Sequence, residues 1–412
     1  MREASRVAIV VPTRNRADLA IRAVRSAVDQ VGHTVTVIVS DNSTDPVAVE
    51  RLRAACEGLG SDAVTFMRPP EPLAMPAHWQ WALRRTLEDE DVGHVAYLTD
   101  RMVFKPGWLA ELLAIVASRP ADVITYNHDS VLDHARPIRL RLEPWSGLVV
   151  EIPSERLLRL SSSGVIHASL PRMLNSVVPR AVLDAVERRF GTVFASIAPD
   201  FCFAFRCLAT VDHVLFWDAS PLVQHGLDVS NGSTYERGVE SSARRDFDEQ
   251  LGATTMNYAA PVPEFETIRN VILHEYAFVR EEAADGERFP PIDPRGYLAA
   301  IVEDLSLLES REVRSRMLDV LADTGWVGAP KRRLDAAMLM LRAMFLGWDV
   351  ARAGSRVSAR LRPGAHFESS EAALAHAETT PRPREQGLGH LPAFADLSFS
   401  RPPLGPTMRR SA

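Results

Sequence analysis

Three carboxylates stand where this chain could do chemistry, and one of them has an arginine beside it. The stretch AYLTDRMVF, Ala96 to Phe104, runs apolar into Thr99, Asp100 and Arg101 and then turns apolar again. A strand ending abruptly in a carboxylate and a guanidinium offers both charges to one ligand. Asp41 stands at the end of a second β-branched run, TVTVIVS (Thr34–Ser40), and leads into Asn42, Ser43, Thr44 and Asp45. Asp200 follows Pro199 and precedes an apolar helix start containing Phe201, Phe203 and Phe205. Such surroundings desolvate a carboxylate and raise its basicity, the property a general base needs. The alternative for Asp200 is a first-turn acid that stabilises the helix dipole, and both roles can hold together. Asp45 has a competing role of its own, as a helix N-cap alongside Ser43 and Thr44.

The elements that must position these groups alternate in type. Arg6–Val11 is a short, mostly apolar run that stops at Pro12, as a buried strand does. Leu19, Ala20, Ala23, Val24, Ala27 and Val28 share one helical face within Ala17–Gln30. Strands follow at Thr34–Ser40, Val64–Met67, His94–Thr99 and Asp122–Asn127, with helices at Pro46–Leu59, Pro76–Leu87 and Trp108–Ser118. This alternation implies an α/β fold with a mostly parallel sheet covered by helices on both faces. Ligands of such sheets sit beyond the carboxyl ends of the strands. Four places qualify: Pro12–Arg16, Asp41–Asp45, Thr99–Arg101 and Asn127–Asp129. A hairpin, Ile138–Leu142 with Leu148–Ile152, is expected next, then helices near Pro153–Leu160 and Pro179–Phe190. After about Ser241 helices dominate, at Glu264–Glu282, Pro294–Leu308, Arg311–Ala322 and Arg332–Val350. The Pro- and Gly-rich end lacks periodicity and is expected to be a disordered tail.

Several function classes are disfavoured. Net charge is −6 over 412 residues, with no general draw toward nucleic acid. Three cysteines, Cys56, Cys202 and Cys207, make neither a disulfide framework nor a zinc site. GLGSDA (Gly58–Ala63) follows a helix and precedes a strand, the reverse of a dinucleotide loop, so it ends the helix. The chain has no GxxxxGK[ST] loop and no GxSxG elbow, and HEYAF at His274 lacks the second histidine of a zinc protease. Val7–Val11 is shorter than a signal-peptide core, and no run approaches the ~20 apolar residues of a spanning helix. The expectation is a cytoplasmic protein.

VAIVVPTRNRADLAIRAVRSAVDQ followed by VTVIVSDNSTD resembles the opening of family 2 glycosyltransferases of bacterial polysaccharide or O-antigen type. The resemblance continues through EPLAMPAHWQWALRR and HVAYLTDRMVFKPGWL to PDFCFAFRCLA and PLVQHGLDVSNGS, about residues 6–235. It implies a GT-A fold and transfer of a sugar from a nucleotide-sugar donor to a saccharide, lipid-linked or other hydroxyl acceptor, with inversion. Asp200 falls where that family keeps its general base. Asp41 and Asn42 fall at the nucleotide base. Pro12, Thr13, Arg14 and Asn15 form a loop beside base and ribose, with Arg14 or Arg16 reaching toward phosphate. His225 falls where the family often brings a histidine to the metal or diphosphate, although a lone histidine is also a common structural residue. His78 and Trp79 precede the Asp100 strand, Trp79 more naturally as core.

The same resemblance places a DxD motif, holding Mg²⁺ or Mn²⁺ against the diphosphate, over Thr99, Asp100 and Arg101. Its outer positions are then a threonine and an arginine, and an arginine offers a metal no oxygen. Three readings stay open. Asp100, with His225, still binds a metal. Or Arg101 itself supplies the cation in a metal-independent transferase. Or the site is inactive, and the chain is a non-catalytic nucleotide-sugar or glycan-binding protein. The expected organisation is a GT-A-like domain over 1–240, a helical region over 241–362 and the tail over 363–412. Residues 331–362 form a basic amphipathic stretch that either lies on the inner membrane surface or packs on the catalytic domain.

Overall fold

A computed structural model describes residues 6–30, 35–60, 64–239, 242–251, 259–263, 265, 267–323, 366–380 and 384–402. The expected amphipathic stretch 331–362 lies outside them. The chain divides into two units. The first comprises Met1–Leu157, Ala168–Leu227 and His366–Ala412, and the second Leu158–His167 and Asp228–Ala365.

The strands of the first unit are β1 (Arg6–Thr13), β2 (Val35–Asp41), β3 (Val64–Met67), β4 (Val92–Tyr97), β5 (Met102–Phe104) and β6 (Ile124–Leu132). They continue with β7 (Ile138–Arg141), β8 (Val149–Pro153), β9 (Ser176–Pro179), β10 (His213–Gln224), β11 (His366–Phe367) and β12 (Phe399–Ser400). The sheet order is β12-β8-β10-β6-β9-β4-β1-β2-β3. β3, β2, β1 and β4 lie parallel side by side, and β10 lies parallel to β6. The short strand β9 opposes both β4 and β6, so those two run in the same direction. The carboxyl ends of β1, β2, β4, β6 and β10 therefore gather along one edge. The sheet is mixed and mostly parallel, as the alternation implied.

Seven of the eight β1 residues are buried, which is why that run carries no polar alternation. Helix α1 (Ala17–Val28) turns Ala17, Ala20, Ala23, Val24 and Ala27 inward, small side chains that let it approach the sheet closely. Helix α2 (Pro46–Glu57) starts on Asp45, whose carboxylate accepts the Val47 N–H at 3.0 Å, with Pro46 in its first turn. Helices α3 (Met75–Leu87), α4 (Trp108–Ser118), α5 (Ser154–Ser162), α6 (Arg180–Phe190) and α7 (Pro199–Thr210) follow at the expected places.

Two expectations differ from the structure. β7 and β8 do not pair as a hairpin; β7 pairs β6 and β8 pairs β10. The segment between them is held elsewhere: Ser146 donates through its N–H and its Oγ to Asp218 of β10, at 2.8 and 2.5 Å. The second difference is the C-terminal segment. Residues 366–380 and 384–402 are not a loose tail but supply β11 on β7, β12 on β8 and a helix, Ser370–Thr379. Ala373, Leu374 and Ala377 of that helix are buried against Val103, Val131 and Val223. The contributing strands are two residues long, too short to leave a period in the sequence.

The second unit is helical among its described residues, with Ile268–Ala283 and Pro294–Leu307 as its longer elements. Asn270 is fully buried there, donating to the carbonyls of Val262 and Phe265 and accepting from Tyr297 Oη.

Candidate functional site

Asp41, the last residue of β2, is fully buried. Its Oδ1 accepts the Ser43 N–H at 2.9 Å, while Oδ2 has no hydrogen-bond partner and lies 3.4 Å from Arg68 Nε. Burying an acceptor without a donor is unfavourable, so this oxygen is the part of the β2 end most ready to receive an N–H. Asn42 is tied down on three sides, to the Thr13 carbonyl and to both backbone groups of Leu73. Asp41, Asn42 and Ser43 face Arg68 and the proline-rich Pro69–Pro72 across a cleft. Proline fixes φ, so that wall is stiff.

The loop after β1 clasps this end. Asn15 sits at φ 55°, a left-handed conformation asparagine tolerates, and its Oδ1 accepts the N–H groups of Thr44 and Asp45. Arg14 donates to the Asn42 carbonyl at 3.3 Å, and Pro12 lies within β1 opposite Ser40. Thr13 joins the two halves of the edge. Its carbonyl holds Asn42, and its Oγ1 donates to Asp100 Oδ2 at 2.9 Å.

Thr99, Asp100 and Arg101 form a tight turn between β4 and β5, closed by the Met102 N–H on the Thr99 carbonyl. Asp100 is buried, and Arg16 Nε meets the same Oδ2 at 2.9 Å. Arg101 projects Nε and Nη1 into the protein with no hydrogen-bond partner for either. Its carbonyl accepts the N–H of His225, itself a buried residue. The next two N–H groups, of Gly226 and Leu227, both donate to Asp133, at 2.5 and 2.8 Å. Gly226 has φ 64°, and a Cβ there would stand 3.2 Å from Leu19 Cδ1 and 3.5 Å from Arg101 Cγ.

Asp200 occupies the first turn of α7, where its own N–H and that of Phe201 reach its carboxylate. Burial nevertheless raises its pKa above the ordinary carboxylate value, against the opposing pull of Arg172 and Arg101. Arg172 lies over the Phe201 ring at 5.3 Å, with its Nε buried and unpartnered. Burial, with Arg172 and Arg141, pushes His128 down to about 3, so that imidazole is neutral at physiological pH. Asp41, Asp100, Arg101, His225 and Asp200 all belong to the first unit.

Residues 8–173 match the model of Glycosyl transferase family 2. These residues are a family 2 glycosyltransferase domain. The domain contains Asp41, Asp100 and Arg101, and its matched span stops before Asp200 and His225. Among solved structures, S. aureus TarS is similar at 13% identity and TM-score 0.41, over 79% of this chain and 55% of that one. The chain thus spans about half the length of that protein. S. aureus TarS 1–349 in complex with UDP-GlcNAc is similar at 15% identity and TM-score 0.44, over 80% of this chain and 83% of that one. No curated protein is significantly similar.

A divalent cation, implied by the family's DxD motif, does not fit the β4–β5 turn. Mg²⁺ or Mn²⁺ takes several oxygens around it. Here the single carboxylate of the turn already meets a hydroxyl and a guanidinium on one oxygen. Among the described residues no group of three or more His, Cys, Asp or Glu side chains is placed to hold a metal. Arg101, within the turn itself, adds a charge that repels a cation.

The family 2 domain also departs from the expected edge at β6. That strand runs on to Leu132, so Asp129 lies within it, fully buried, with Lys105 Nζ on its Oδ2 at 2.6 Å. The residue beyond the strand end is Asp133. Arg68, Asp133 and Arg172 were not singled out in the sequence. Arg68 stands just past β3 and Asp133 just past β6, so the strand-end rule reaches both once the strand limits are right. Arg172 had no local signal. His78 and Trp79 are core residues: His78 Nε2 is 2.8 Å from Ser40 Oγ, and Trp79 packs on Tyr97 and Phe194.

Proposed function

We propose that this chain transfers a sugar from a nucleotide-activated donor to a hydroxyl of a saccharide or other acceptor, with inversion at the anomeric carbon. The observation that carries the reading is a family 2 domain with Asp41 at its sheet edge, and a second, differently prepared carboxylate, Asp200, under the influence of Arg101. One, Asp41, keeps a buried oxygen with no hydrogen bond, 3.4 Å from Arg68 Nε and suited to a base N–H. The other, Asp200, is raised in pKa by burial and suited to taking a proton.

In this reaction Asp200 accepts the acceptor's hydroxyl proton as that oxygen attacks the anomeric carbon from the face opposite the leaving group. The new carbon–oxygen bond forms as the bond to the diphosphate breaks, and the electron pair stays on the departing nucleoside diphosphate. Asp41 and Asn42 fix the base, while the loop Pro12–Asn15 lines the nucleoside side. Holding both reactants in line supplies part of the rate through orientation alone.

The test is a panel of nucleotide sugars and saccharide acceptors with the wild-type chain and Asp200→Asn. We expect turnover with one donor, and a loss of about 10²–10⁴-fold in kcat for the variant with donor affinity kept. The kcat/KM of the wild type should rise with pH through a pKa above the ordinary carboxylate range, because only the ionised base is active. Donor binding without turnover by the wild type, or full activity in Asp200→Asn, refutes the assignment.

A further inference from the structure

The misfit between the β4–β5 turn and a divalent cation has a positive counterpart. Resting on the transferase reading above, we infer that the guanidinium pair Arg16 and Arg101 neutralises the donor diphosphate, and that Asp100 anchors Arg16 rather than ligating a metal.

Arg101 carries the argument. Its Nε and Nη1 are both buried without a hydrogen-bond partner. Leaving charged donors unpaired is among the more costly things a fold can do. The backbone gives the side chain little freedom to escape. Its carbonyl is bound by His225, and its stem lies beside Gly226. Asp133 holds Gly226 and Leu227 by their N–H groups and so fixes this contact. A half-buried guanidinium with two unbonded donors suits an anion with several oxygens.

Arg16 completes the pair. Asp100 Oδ2 is 2.9 Å from its Nε and 2.9 Å from Thr13 Oγ1, so the carboxylate is itself oriented before it orients the arginine. Arg16 keeps 27% of its side chain exposed at this edge. Burial and the neighbouring Arg16 lower the Arg101 pKa to about 10, offset in part by Asp100, Asp133 and Asp200, so Arg101 stays charged at neutral pH. Two guanidiniums present planar forks of N–H donors that match phosphate oxygens, and their charge is in place before the leaving group develops its own.

Thermal unfolding of the full-length chain tests this, with uridine, guanosine, adenosine, cytidine and thymidine diphosphates as probes, each in EDTA and in Mn²⁺. One diphosphate should stabilise the wild type equally in both. Arg101→Gln should melt no lower than wild type without ligand, because it removes a guanidinium with two buried, unbonded donors. Its affinity for that diphosphate should fall roughly 10–100-fold, the loss expected for charge-assisted hydrogen bonds. Arg101→Lys, which keeps the charge, should recover part of it. Stabilisation seen only with Mn²⁺, or an Arg101→Gln response equal to wild type, overturns the inference and leaves the transferase reading standing. No response to any diphosphate in either condition overturns both.

Discussion

At the scale of single residues, the site is a set of side chains doing two jobs each. Thr13 holds Asn42 with its carbonyl and Asp100 with its hydroxyl, so the ends of β2 and β4 are tied together. Asn15 spends its side chain on the backbone of Thr44 and Asp45, which makes it a clasp between two loops. Asp45 is an N-cap, as its position before Pro46 indicated. At Gly226 conformation and contact coincide, because it has φ 64° and a Cβ there would stand 3.2 Å from Leu19 Cδ1. Gly226→Ala should therefore lower stability by about 1–2 kcal/mol, the usual cost of a left-handed L-residue. Urea unfolding measures it, and an unchanged midpoint would contradict the strain.

At the scale of elements, the strand ends decide which residues meet. β4 delivers Asp100 and Arg101, β10 delivers His225, and the end of β6 delivers Asp133. Val103, Val131 and Val223 of β5, β6 and β10 lie close in sequence to these residues and pack against the helix Ser370–Thr379. That helix supports the part of the edge that carries Arg101, Asp133 and His225. Leu374 is its large buried side chain, 4% exposed, so Leu374→Ala should cost about 2–4 kcal/mol by opening a cavity. Chemical denaturation followed by tryptophan fluorescence would register the loss. A change below about 0.5 kcal/mol, the scale of an ordinary surface substitution, would show that the helix does not support the edge.

At the scale of the whole molecule, the chain returns from its last fifth to finish its first unit. Residues 384–402 are fastened by Arg384, whose Nε donates to the Ser146 carbonyl, and by a two-point pair of Arg156 with Asp396 at 2.8 Å. His390 Nε2 adds a contact of 2.8 Å to the buried Asp218, 172 positions away. Burial favours the neutral imidazole, but the hydrogen bond and charge of Asp218, together with Glu385, outweigh it and raise the pKa. A raised histidine pKa stabilises the folded form fully below the unfolded value of about 6.5 and loses that contribution as pH climbs through the folded pKa. Hydrogen exchange in residues 384–402 should accordingly quicken between pH 6 and pH 9 beyond its intrinsic increase. His390→Gln should remove that excess, and an identical pH response in the variant would sink the explanation.

What the sequence determined by itself was local. Runs such as Arg6–Val11 and the alanine face of Ala17–Val28 carry their period within about ten residues, so element type and the α/β alternation were legible. So was the concentration of Asp41, Asp100 and Arg101 at strand ends, because a buried strand has few places to put a charge. The rest depended on tertiary structure. That Arg16 meets Asp100, that Asp133 ties Gly226, and that Arg172 faces Phe201 beside Asp200 are pairings set by strand order, not by spacing. Asp129 shows the limit most clearly. Its sequence context resembles a strand end, yet β6 runs three residues further, and the carboxylate is spent on Lys105 inside the sheet. The C-terminal segment is the larger case: a two-residue strand has no period to read, and only the open edges of β7 and β8 give it a place.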